Sequence, residues 1–182
     1  STRGVTKQLE ITDTEGGAQP AESTNTDGVT AIGTDGFTVG GDAAYSGNTN
    51  TYVAWCWRAG EGTTATNTSG TINSTVQANT TAGFSIVTYT GTGSNATVGH
   101  SLGAVPDMVI VKSRDSVHSW SVGHVGLGTN EVLLLNSSND KRNCTTDFSN
   151  GGVGARGSSH FTLEAGTVDA NNVNTNNEGF IA

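Results

Sequence analysis

An all-β fold, an antiparallel β-sandwich of jelly-roll or lectin-like type with little or no helix, is what this sequence predicts. Two observations carry that expectation. Apolar residues come in short period-2 runs divided by Gly- and Asn-rich turns, and no window sustains the 3- and 4-residue apolar spacing of a helix. The surface chemistry is also unusual: 33% of residues are hydrophobic and only 13% charged, with 26 Gly and 2 Pro. Disordered chains gain their polarity from charge and proline, whereas here it comes from Thr, Ser, Asn and Gly, which favour strands and hairpin turns. At 182 residues the chain is long enough for one large or two small domains with a real core.

Taken in order, the sequence suggests a strand over 5–11 and then a polar loop to Asp27, where Glu15-Gly-Gly and Gln19-Pro-Ala are turn chemistry. Short strands follow at 29–32 and 36–39. The 52–57 run places Tyr52, Ala54 and Cys56 on one face and Val53, Trp55 and Trp57 on the other, and its large side chains predict a core strand. A Gly- and Thr-rich connector at 60–69 leads to strands at 70–76 and 84–90 around a turn at 79–83. Phe84, Ile86, Thr88 and Thr90 share one face, and Gly91 to Asn95 form a turn. Pro106, which lacks a backbone N–H, suits the entrance of a strand whose run from Met108 to Val111 predicts burial on both faces. Strands at 119–125 and 132–136, a long loop over 139–159, and strands at 161–163 and 180–181 complete the reading.

An internal repeat runs through this order. Asp35-Gly-Phe-Thr-Val-Gly-Gly-Asp, an Asn-rich stretch and Thr51-Tyr-Val-Ala align with Ser159-His-Phe-Thr-Leu-Glu-Ala-Gly, a second Asn-rich stretch and Glu178-Gly-Phe-Ile-Ala182. Phe37 and Phe161 match at 124 residues, and Lys7-Gln-Leu-Glu-Ile matches Glu131-Val-Leu-Leu-Leu. Residues 1–60 then read as the C-terminal half of a first β repeat and 61–182 as a second, nearly complete one. On that reading the chain is expected to be part of a longer protein.

Gly83-Phe-Ser-Ile-Val-Thr-Tyr-Thr-Gly91, His100-Ser-Leu-Gly-Ala-Val-Pro106, Val109-Ile-Val-Lys-Ser-Arg-Asp115 and Tyr52-Val-Ala-Trp-Cys-Trp-Arg-Ala-Gly60 together cover most of the chain. They resemble an uncharacterised β-rich domain, often found in tandem, of structural and tail-fibre-like proteins of marine tailed phages. The resemblance implies a virion-associated structural or adhesion role at the virion surface or outside the cell, and it carries over no enzymatic residue.

Charge bounds the partners. The net charge is −8 and the 8 Lys+Arg are scattered, so no cationic face is expected for nucleic acid. No apolar run reaches the roughly 18 residues of a spanning helix, so membrane insertion is not expected. Cys56 and Cys144 lack metal-ligand spacing, and Cys56, inside an apolar run, is expected to be a buried free thiol.

The candidate ligand-binding residues are Trp120, His118 and His124, which share parity with Val122. Trp120 would be a sugar-stacking platform and the histidines its polar contacts; the structural alternative puts Trp120 and Val122 in the core and the histidines at the strand margins. Two histidines six residues apart on a strand stand about 20 Å apart and cannot share a metal. His100 lacks a nucleophile and an orienting carboxylate at useful spacing, which favours a backbone hydrogen bond over catalysis. Asp13, Asp27, Asp35 and Asp42 could reach calcium but are too dispersed for an EF-hand, which favours turn capping. Six Asn-x-Ser/Thr sequons, among them Asn67, Asn73 and Asn143, are expected by chance in so Asn- and Thr-rich a chain.

The expected function is therefore non-enzymatic: a virion appendage, fibre or capsid-surface protein, with no cofactor (calcium left open). Its partners would be copies of itself, with a trimer as the fibre-like option, and other virion proteins. The alternative is a carbohydrate-binding, lectin-like module for host-surface glycan. A depolymerase would require a pair of carboxylates that the sequence does not display.

Overall fold

The computed structural model describes residues 5–11, 19–60, 62–144, 151–166 and 172–182. Fifteen strands and one four-residue helix are found there. The first part of the chain holds two small antiparallel pairs, β1 (Lys7–Gln8) with β2 (Ser23–Thr24) and β3 (Val29–Ile32) with β4 (Phe37–Val39). The helix α1 (Ala43–Ser46) follows, capped by the Asp42 side chain, which accepts from Ala44 N.

The remaining strands build an antiparallel sandwich. They are β5 (Ala65–Asn67), β6 (Ser74–Asn79), β7 (Phe84–Thr90), β8 (Ala96–Gly99), β9 (Met108–Ser113) and β10 (Ser121–His124). After them come β11 (Glu131–Leu134), β12 (Arg142–Asn143), β13 (Gly152–Arg156), β14 (His160–Glu164) and β15 (Gly179–Ile181). One sheet runs β12-β11-β10-β9-β15-β7-β6-β5 and the facing sheet runs β13-β14-β8. The last strand, β15, is thus central: it lies between β7 and β9, and Ala182 exchanges both backbone hydrogen bonds with Val87 at 2.8 Å.

Pleat alternation selects the core. Phe180 lies opposite Tyr89 and Ser113, so all three point to the inner face, and Val87, Val109 and Val111 follow by parity. They meet Val98, Val153, Phe161 and Leu163 from the smaller sheet, and the Tyr89 and Phe180 rings stack at 5.3 Å. Burying each such side chain stabilises by roughly 1.5–3 kcal/mol. Close approach of the two layers depends on small residues: a Cβ on Gly123 would come within 3.0 Å of Val153, and one on Gly152 within 2.8 Å of Val132.

The all-β antiparallel sandwich is the fold the sequence predicts, but several elements differ. The expected core strand at 52–57 is not a strand and pairs with none of the described strands, and Tyr52, Val53, Trp55 and Trp57 are 51%, 71%, 71% and 66% exposed. Cys56 is exposed rather than buried, and Cys144 is the buried thiol. Met108 is 54% exposed while Val109 and Val111 are buried, so β9 alternates instead of burying both faces. The connector at 60–69 contains β5, and the expected loop at 139–159 contains β12 and β13. Gly, Arg and Asn in those stretches have weak strand propensity, and cross-strand pairing overrides it.

Candidate functional site

The densest polar constellation sits where β9 ends and β15 begins. Glu178 accepts from the Ser116 hydroxyl at 2.7 Å, the Ser113 hydroxyl at 3.1 Å and His118 Nε2 at 2.9 Å. An ionised carboxylate can only accept, so His118 carries its proton on Nε2. Its Nδ1 is buried without a partner among the described residues, and its ring stacks on Phe180 at 6.3 Å. Burial pushes the Glu178 carboxyl up, but the hydrogen bonds from Ser116 and His118, with His118 charge and Ser113 behind them, outweigh it and hold the group below its ordinary value. Asp115 accepts from Gly179 N at 2.6 Å, which fixes the first residue of β15 from the other side.

Lys112 completes this node from the opposite face of β9. Its side chain is 1% exposed, and Nζ donates to the carbonyls of Ser113 at 2.8 Å and Ser116 at 3.3 Å. Burial lowers its pKa to about 8, against a smaller upward pull from the Glu178 charge. Together these groups lock the 113–118 turn to β15. Both serine hydroxyls and the imidazole are directed at the carboxylate, so the node fastens backbone. Sequence reasoning missed it. The available signal was a lysine interrupting an apolar run at Val111-Lys112-Ser113, and a glutamate directly before Gly-Phe-Ile.

The three sequence candidates part company. His118 is buried in the Glu178 node, ahead of β10. Trp120 is half-buried, and its Nε1 donates to the Glu10 carbonyl at 3.2 Å, docking the N-terminal part of the chain. A second tie is the Arg114–Glu22 pair at 3.1 Å. His124 ends β10 exposed, with Nδ1 accepting from Gly126 N at 3.0 Å. Trp120 and His124 share the outer face of β10 with buried Val122, while His118 lies apart from them.

Other candidates have local partners. His100 donates through Nε2 to the Gly157 carbonyl at 3.0 Å, and its Nδ1 accepts from Leu102 N. Asp27 accepts from Gly41 N and Asp42 caps α1, as turn residues do. Asp13 lies outside the described residues. No group of three or more His, Cys, Asp or Glu that could hold a metal ion occurs among the described residues.

The 52–57 stretch is an exposed apolar strip, with Tyr52, Val53, Trp55 and Trp57 all more than half exposed. Tyr52 is anchored through its hydroxyl, which donates to the Ala43 carbonyl at 2.9 Å and accepts from Gly47 N at 2.8 Å. Trp57 stacks on Phe84 at 6.1 Å, yet most of its indole remains exposed. Beyond it Ala59 is buried, and the Arg58 carbonyl accepts from Asn79 Nδ2 at 3.5 Å. The apolar strip thus begins beside Phe84 at the start of β7 and runs out into solvent.

No curated protein and no solved structure matches this chain. A family model does match, over residues 1–182, and the chain belongs to that family, the Domain of unknown function (DUF7483).

Proposed function

We propose that this chain is a non-enzymatic structural module of a virus particle, an appendage or capsid-surface component that works by assembly and adhesion. The observation that carries this reading is the 52–57 strip. A chain with only 33% hydrophobic residues leaves Val53, Trp55 and Trp57 each about two-thirds exposed or more. Clustered exposed apolar residues mark contact surfaces, and aromatic residues dominate such contacts. The sequence resemblance to tail-fibre-like proteins supplies the virion setting. Mass spectrometry of purified particles tests it: the chain is expected at structural copy number, and its absence from particles overturns the reading.

A second reading is glycan binding. Trp55 and Trp57 present largely exposed indole rings, whereas Trp120 has committed its N–H to the Glu10 carbonyl. A glycan array with Trp55→Ala and Trp120→Ala separates the sites: binding lost only in the first places the platform on the strip, and binding lost only in the second restores Trp120.

A further inference from the structure

The exposed strip has a counterpart inside the same chain. β3 and β4 pair Val29 with Val39 and Ile32 with Phe37; β13 and β14 pair Val153 with Leu163 and Arg156 with Phe161. All four positions recur 124 residues on, and both hairpins carry a register shift after the first valine. β1 recurs at the same offset as the start of β11, and each of these two strands pairs antiparallel with the next strand in the chain. Following the hairpin and an Asn-rich stretch, Phe180-Ile-Ala182 enters the slot between β7 and β9. Following the other hairpin and its Asn-rich stretch comes Tyr52-Val-Ala54, with the same aromatic–aliphatic–alanine order and, among the described residues, no second β7–β9 pair beside it. Among the described residues β7 and β9 occur once, and β15 occupies the space between them.

We propose that residues 52–57 are an insertion strand, which completes the large sheet of a second copy of this domain by entering that copy's β7–β9 slot. The proposal rests on the assembly reading above and names its contact. Tyr52 would take the place of Phe180, beside Tyr89. Ala54 would take the place of Ala182 and exchange backbone hydrogen bonds with Val87. The strip is continuous with an interface already made, since Trp57 packs on Phe84 and Ala59 is buried. Main-chain pairing would supply the affinity and the slot's alternate pockets the selectivity, as in strand addition generally. Tyr52, half-exposed in the free chain, gains by such burial on the inner face, while Val53, Trp55 and Trp57 fall by parity on the outer face that Ile181 occupies. The Glu178 node gives the slot its gate: Asp115 and Glu178 fasten β15 in place, while Asn50 precedes the Thr51-Tyr52 pair where Glu178 precedes Gly179-Phe180. The inserted strand therefore lacks that latch and fills only a slot that β15 has left open.

The test uses an acceptor lacking residues 179–182 and carrying Ala54→Pro, so that its slot is empty and its own strip cannot insert. Proline removes the N–H that the Val87 pairing needs. The donor is the intact chain. Sedimentation of the mixture is expected to show a one-to-one complex, and an intact donor carrying Ala54→Pro is expected to show none. If the acceptor does not fold alone, it is refolded with excess peptide spanning residues 50–58 or 176–182, and recovery of sheet is read by circular dichroism. Rescue by both peptides supports the proposal. A folded acceptor that ignores the intact donor overturns it, and so does failure of the 50–58 peptide to rescue an unfolded one. Absence of the chain from virus particles would remove the virion reading and leave this complex intact; absence of the complex would leave the particle assignment standing.

Discussion

His118 and Glu178 lie 60 residues apart in the chain and 2.9 Å apart in space, Nε2 to Oε2, with the imidazole 1% exposed. This pair joins the turn after β9 to the start of β15, and Ser113 and Ser116 share the same carboxylate. Its effect is long-range: a three-residue terminal strand is held at the centre of an eight-stranded sheet by side-chain hydrogen bonds as well as by its own ladder.

Glu178→Gln is expected to destabilise the protein by about 1–3 kcal/mol, since it weakens three hydrogen bonds at a largely buried group. The acid limb gives an independent check. The folded-state pKa of Glu178 is depressed, so its contribution is present above the ordinary carboxylate value and lost as pH falls through the folded one. Thermal unfolding followed from neutral pH downwards should show a shallower acid loss in the variant than in the parent. Parallel curves would remove Glu178 from the acid response.

Phe180→Ala and Trp55→Ala should separate core from surface. Phe180 is fully buried against Tyr89 and His118, so its truncation is expected to cost about 3–5 kcal/mol. Trp55 is 71% exposed, and its truncation should leave monomer stability within about 0.5 kcal/mol. Chemical denaturation of both variants decides between this arrangement and one that buries the 52–57 strip within the monomer.

These two residues also show what the sequence could convey. A period-2 run located β7, because alternation with a buried face leaves a local imprint, and an unbroken apolar run located β9 although its burial alternates. The 52–57 run has the same imprint, and nothing local distinguishes a strand with neighbours from one without them. The Glu178 node was illegible for the opposite reason. Its members come from residues 112–118 and 178, and only the placement of β15 beside β9 brings them together. His118 and Trp120 share parity in the sequence, but His118 precedes β10 and leaves its face, so spacing alone grouped residues that the fold separates.

The two thiols should react very differently. Cys56 is exposed, whereas Cys144 is buried, donates to the Asn130 carbonyl at 3.1 Å, and has its pKa raised to about 11 by burial and then by the Glu164 charge. Only the thiolate is a good nucleophile. A colorimetric thiol reagent at neutral pH is expected to titrate one cysteine in the native protein and both after unfolding. Rapid reaction of both in the native state would place Cys144 at the surface.

Gly91 turns the chain out of β7 beneath residues 174–175. A Cβ there would overlap the Thr175 carbonyl oxygen and lie 2.9 Å from the Asn174 carbonyl carbon, both backbone atoms that cannot rotate aside. Gly91→Ala should therefore destabilise by more than about 1 kcal/mol, while Gly36→Ala, with nothing within 4 Å of the new Cβ, should be close to neutral. Comparing the two melting temperatures tests the packing of the 172–178 segment on that turn.

Lys112 sets an alkaline signature with the opposite sign to the acid one. Its pKa is about 8 in the folded protein against 10.5 for an ordinary lysine, because burial penalises the ammonium. Below about pH 8 both folded and unfolded chains hold the proton and the penalty is complete. Above it the folded chain releases the proton first, the unfolded chain binds more, and stability rises with pH until the ordinary value is reached. Tyr89 limits the window from above, since burial raises its pKa and its ionisation favours unfolding beyond about pH 10. Between about pH 7.5 and about pH 9.5 the parent is expected to gain on the order of 1–2 kcal/mol attributable to this lysine. Lys112→Met removes the titrating group and keeps most of the buried volume, so its stability should be flatter across the same window. Denaturant midpoints of the two proteins at both pH values give the difference directly. An equal pH response in both would show that the ammonium is solvated in the folded state, and the buried position of Lys112 behind the Glu178 node would have to be abandoned.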